Sequence, residues 1–413
     1  MNPDPRILRE LQHAARQATN NQLLRLANTL DGLPQRGVAE EVLDAVRPRL
    51  RHLRPARPLN FPRLLFLPLD PLLVEPSEWR PGQGRVPRSA ILPLAEHLRM
   101  AEPALVTAVE ARIAGAKLTD VVLAAEQGTL LWPAAFEALP RNPPTGWEAA
   151  GLPSQYYTEV VKICAALWRH GPVLWRLRMA GGDGPPEASL RPAFRVIAAE
   201  GAEAVELCLG ALLPFAAQPA RMVAVMAGLN QAMAPPAERA LDRYLSGVTP
   251  ELEGADLEAM ADAAARFART LQDLDSAVTR DKPKRAQQLQ ALRISTAQCC
   301  KEMLEQEMVR RLTGPLAALA AAPAPPDAVV EALEHAAMAL RGIGNSMRRL
   351  HASGAAEKLF GPVIAQLTAL AVRLPEAGEG FLRADALRLL EILAGTQVAA
   401  RLHEGIIRSN RIN

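Results

Sequence analysis

The chain is poor in cysteine, aromatics and lysine, and has no apolar run that could cross a bilayer unbroken. Its four cysteines, Cys164, Cys208, Cys299 and Cys300, lie at no CxxC spacing. That argues against a disulfide framework or a zinc site and for buried free thiols in a reducing cytoplasm. The most apolar stretch, residues 207–233, is interrupted by Pro214, Pro219 and Arg221, so no transmembrane segment is expected. The first residues are charged and contain no apolar core of a secretory signal. Lysine stands only at 117, 162, 282, 284, 301 and 358, and arginine supplies the remaining positive charge. With abundant alanine and proline, this is the usage of a GC-rich bacterial genome and speaks of origin rather than function. A net charge of +3 demands neither a nucleic acid nor a membrane partner.

Motifs for chemistry are also missing. The seven histidines form no HExxH, and Glu10 with His13 is the only ExxH, so no metal site is expected and no cofactor is called for. Glu331 and His335 share a helix face, but His335 falls off the apolar seam beside it. No GxSxG occurs. The glycines of 181–184 lack the lysine and hydroxyl of a phosphate-binding loop, and Gly342 and Gly344 lie within a helical seam, where glycine permits close packing. Cys299 and Cys300 are adjacent, and Cys299 lies on its seam, which favours packing over redox chemistry.

What the chain does have is helical period. Its 413 residues suggest two or three domains. Residues 5–50 read as three short helices, and 89–100, 103–114, 118–126 and 130–139 as four more, with Ser89 as a candidate cap and Pro103 opening a first turn. Proline and glycine concentrate at 140–153, at 181–186 and again at 247–256. The reading is a short-helix N-terminal domain over 1–140, a central helical region over 154–246 and a mostly antiparallel helical bundle over 254–413. In the last, Leu257, Met260, Ala264, Phe267, Leu271, Leu274 and Val278 keep steps of three and four, as do Leu289, Leu292, Thr296, Cys299 and Met303, and then Val330, Leu333, Ala337, Leu340, Gly344 and Met347. Ala264, Ala337 and Gly344 would let helix axes approach closely. No convincing strand is found, and the fold class is all-α.

Residues 47–88 break the pattern. Five prolines between Pro48 and Pro68 deny a long helix, yet Leu64, Leu65, Phe66, Leu67 and Leu69 carry a dense apolar load. The expectation is an extended, proline-rich apolar strap across the N-terminal helices, with Asp70 capping a turn before Glu75. Its basic flank holds Arg49, Arg51, Arg54 and Arg63 with no acidic residue among them. A second uneven feature is aromatic: Trp132, Phe136, Trp147, Tyr156, Tyr157, Trp168 and Trp175 crowd into 132–175, with His170 and Arg176 nearby.

Three functions compete. The first is a non-enzymatic helical scaffold or adaptor whose partner is another protein. The second is association with nucleic acid through the 47–63 arginines. The third is an enzyme or small-ligand site around the aromatic cluster, using residues such as Glu159, His170 and Arg176. The candidate partner- or ligand-binding residues are Arg49, Arg51, Arg54, Arg63, Phe66, Asp70, Trp168, His170, Trp175 and Arg176. If the strap is buried in its own chain, function has to be sought near Trp132 to Arg178 instead.

Overall fold

The computed structural model describes residues 58–180, 185–250, 252, 256–277, 282–319, 327–376 and 381–412, with Leu11, Ala14, Ala18, Gln22 and Leu23. The expected helices of 5–50, the arginines at 49, 51 and 54, and Val278 lie outside the described residues. The fold is all-α, relieved among the described residues by two strands of two residues each. The chain divides into two compact units. One comprises Ala56–Val248 with Asp273–Gln288; the other comprises Met1–Pro55, Thr249–Gln272 and Leu289–Asn413. All five tryptophans fall in the first, here the tryptophan unit; the second is the seam unit.

In the tryptophan unit residues 61–72, within the expected strap of 47–88, are helical where extended chain is expected. Asn60 Oδ1 accepts the Arg63 amide at 3.1 Å, and Pro62 sits in the first turn, so helix α1, Phe61–Phe66, starts with both standard signals. Pro68 then ends it, because it has no N–H to donate back, and the chain tightens into a 3₁₀ turn at Leu67–Leu72. Asp70 lies inside that turn rather than capping a later one. The prolines shorten the helix without extending the chain. Strands β1, Leu73–Val74, and β2, Val86–Pro87, pair in parallel across an intervening loop.

Around this segment stand α2 (Ile91–Ala101), α3 (Pro103–Ile113), α4 (Val121–Glu137), α5 (Tyr157–Arg169), α6 (Gly171–Arg178), α7 (Glu187–Ala198), α8 (Ala202–Leu212), α9 (Pro219–Ala227) and α10 (Ala234–Gly247). Pro103 opens α3 as expected, but Ser89 caps nothing: it lies in a 3₁₀ turn preceded by Pro87. The two helices expected at 118–126 and 130–139 are one, running unbroken through Gly128. Residues 140–153 lie within this unit, where Trp147 is 1 % exposed and meets Tyr157 edge-on at 5.0 Å. Residues 273–288 are fastened to it by charge. Asp273 accepts the Ala220 amide at 2.6 Å at the start of α9, where the helix end favours an anion. Arg285, 2 % exposed, donates to Asp242 and Glu238, and Lys282 joins Glu238 at 2.6 Å.

The seam unit is built from α11 (Leu257–Asp275) as far as Gln272, α12 (Pro283–Met308) from Leu289, a π-turn at Val309–Thr313, α13 (Gly314–Leu319), α14 (Asp327–Arg349), α15 (Ser353–Arg373), α16 (Arg383–Ala394) and α17 (Thr396–Ile412). Asp256 caps α11 through the Ala259 amide at 2.8 Å. Leu257, Ala264 and Leu271 on α11, and Leu333, Ala337, Leu340, Gly344 and Met347 on α14, are buried as their spacing predicts. On α12 Leu289, Thr296 and Met303 are buried as their spacing predicts and Leu292 partly, but Cys300 and Leu304 are also fully buried and Cys299 only partly. Gly344 lets α15 approach, since a Cβ there would stand 2.6 Å from the Phe360 ring. Arg383 donates to the carbonyls of Ala371 and Leu374, satisfying acceptors left over at the end of α15. Among the described residues one helix, α15, is long and apolar enough to cross a membrane, with mean hydropathy 1.2; Phe360, Val363, Leu367 and Ala371 on one side of it are buried.

Candidate functional site

The strap and the aromatic cluster form one assembly. Pro68 is the residue whose amide would have answered Leu64 O in an unbroken α-helix and Leu65 O in a 3₁₀ turn, and it has no amide hydrogen. Two indoles contribute to those carbonyls instead. Trp132 Nε1 on α4 donates to Leu64 O at 2.9 Å, and Trp168 Nε1 on α5 donates to Leu65 O at 2.8 Å. The same side chains are packed ring on ring, Phe66 against Trp168 at 5.4 Å and Trp132 against Trp175 at 5.9 Å. Trp132 is further clamped by two glycines, since a Cβ at Gly128 or Gly171 would stand 2.4 Å or 2.8 Å from its ring. The continuity of α4 through Gly128 follows from this.

Leu64, Leu65 and Leu69 are fully buried, Phe66 is 2 % exposed, and burial of each such side chain contributes about 1.5–3 kcal/mol. Phe66, Trp168 and Trp175 are therefore core residues, held in internal contacts. Arg63 and Asp70 are exposed, and Arg63 turns back to the Pro58 carbonyl at 2.7 Å. Arg176 is exposed and leans on the Pro172 carbonyl at 3.4 Å. Glu159 accepts the Gly82 amide at 2.6 Å. His170 is 3 % exposed, and its Nε2 has no hydrogen-bond partner among the described residues. Glu159 and Arg176 are thus each engaged separately, and neither is hydrogen-bonded to His170.

Charges around the core are set by burial. Desolvation holds the His170 imidazole below its usual value, with Arg169 adding to the effect and Glu200 opposing it. The Arg178 guanidinium, lodged over Trp175 and Phe215, is likewise lowered by burial, with Asp70 opposing. Burial pushes the Cys164 and Cys208 thiols up and keeps them protonated, and the Cys300 thiol rises to about 12. Among the described residues no three His, Cys, Asp or Glu side chains are grouped to hold a metal ion, and Glu331 and His335 both face solvent.

One surface escapes the sequence reading. Helix α4 is rich in apolar residues, so after Leu131, Trp132 and Ala135 are buried it still presents Val121, Val122 and Leu130, which are 41 %, 69 % and 58 % exposed, alongside the exposed Glu126, Thr129 and Glu137. At its amino end Thr119, Asp120, Val121, Val122, Leu123 and Glu126 line an open depression of about 460 Å³. The signal was present in the sequence: a helix so rich in apolar residues has more such surface than one core contact needs.

No protein-family profile, curated protein or solved structure matches the chain.

Proposed function

We propose that the chain is a non-enzymatic helical scaffold or adaptor of the cytoplasm, acting through contact with another protein. The observation that carries this reading is the outward apolar face of α4. Exposed valine and leucine side chains gathered along one helix favour an apolar partner surface, because covering them removes hydrocarbon from water. The strap does not offer such a face, since its leucines are enclosed by their own chain. In the aromatic cluster two indoles are committed to strap carbonyls, while the buried Nε1 groups of Trp147 and Trp175 have no hydrogen-bond partner among the described residues.

The test is affinity capture from native extract with the wild-type chain and with a Val122→Asp, Leu130→Asp double variant. Both substituted positions are exposed, so the fold should be kept, as judged by far-UV circular dichroism. A partner retained by the wild type and lost from the variant supports the proposal. An identical set of captured proteins would remove α4 as the docking element.

A further inference from the structure

His170 is a single residue between α5 and α6, and the two helices turn at it. The next residue, Gly171, lies against the Trp132 ring, and Trp168, two residues before, donates to Leu65 O. Displacing His170 would therefore disturb both indole contacts that anchor the strap. Its ring is nearly inaccessible and its Nε2 is unpartnered among the described residues; it stands between the carboxyl end of α5 and the amino end of α6, whose dipoles oppose one another there. The charged groups acting on it are Glu200, from the connection between α7 and α8, and Arg169, the last residue of α5. Those two are already paired, Arg169 Nη1 to Glu200 at 2.9 Å, and Glu200 also acts on the thiol of Cys208 on α8. Arg178, farther along α6, answers to Asp70 instead.

We propose that His170 is an acid trigger of the tryptophan unit: once protonated, its ring leaves the core, competes with Arg169 for Glu200 and opens the corner between α5 and α6. Two arrangements of one carboxylate define the device. At neutral pH Glu200 holds Arg169 and the imidazole stays neutral inside; in acid the imidazolium claims Glu200, because a charged ring cannot remain unsolvated in the core. The sign follows from proton linkage. The folded state binds the proton less readily than the unfolded chain, whose histidine titrates near 6.5, so stability is complete above about pH 7 and falls as pH drops below that value.

The experiment uses the full chain, because every tryptophan lies in this unit and intrinsic fluorescence reads it selectively. Urea unfolding is followed by fluorescence from pH 8 to pH 5 for the wild type and for His170→Gln. The wild type is expected to lose up to about tenfold in its folding equilibrium per pH unit below 6.5 relative to His170→Gln. Equal pH dependence of the two proteins would overturn the proposal. Should His170→Gln fail to fold, NMR titration of the wild-type imidazole decides: a midpoint below the unfolded-chain value of about 6.5 upholds the trigger, and a midpoint at or above it overturns it.

Discussion

Pro68 has no N–H, and that missing donor links the strap to the tryptophans. Pro68 offers no amide to either Leu64 O or Leu65 O; Leu64 O takes the Leu67 amide and Trp132 Nε1, and Leu65 O takes Trp168 Nε1. Replacing Trp168 by Phe keeps an aromatic ring against Phe66 but withdraws the donor from a buried carbonyl, which should cost about 1–3 kcal/mol of unfolding free energy in urea. Gly171→Ala should cost a similar amount, about 1–3 kcal/mol, by forcing a methyl group into the Trp132 ring. At this scale the sequence made the burial of Leu64 to Leu69 legible, since so many apolar side chains need cover. The helical form of the segment was not legible. Prolines announce where a helix stops, but nothing local says that indoles some 70 and 100 residues away will accept the task of capping it.

Among elements, periodicity was the dependable guide. The α14 seam is buried where steps of three and four place it, and Gly344 serves the close approach expected of it. Gly344→Ala should lower stability by about 1–3 kcal/mol through collision with Phe360, measurable by loss of far-UV circular dichroism on heating. On α12 the spacing singled out Cys299, yet Cys300 is the residue fully buried, because two neighbouring cysteines leave the choice of face to tertiary packing. The division of α4 into two helices failed for a related reason: Gly128 reads as a breaker until the ring that requires it is known. Charge pairing between distant segments was likewise invisible. Arg285→Met should destabilise the tryptophan unit by about 2 kcal/mol, because Glu238 and Asp242 lose their common donor, with the partial exposure of both carboxylates moderating the loss. Fluorescence-detected urea unfolding would register it.

For the molecule as a whole, the class was legible and the division was not. Proline- and glycine-rich residues 140–153 looked like a border but hold Trp147 in a core, whereas residues 273–288 join the tryptophan unit from far along the chain. The composition of one stretch cannot show which distant segment it will pack against. The candidate site changed for the same reason: the aromatic rings weighed as a ligand site are enclosed, and exposed Val121, Val122 and Leu130 stand on α4, a surface the sequence did not single out.

Photo-crosslinking in living cells tests the adaptor reading most directly. A benzoylphenylalanine is placed at Val122 in one protein and, as a control on an exposed site of the same unit, at Arg195 in another. The account predicts a discrete adduct to a second protein from position 122, abolished by Leu130→Asp, and none from position 195. Equal labelling from both positions, or none from 122 while the protein is folded and expressed, would contradict it.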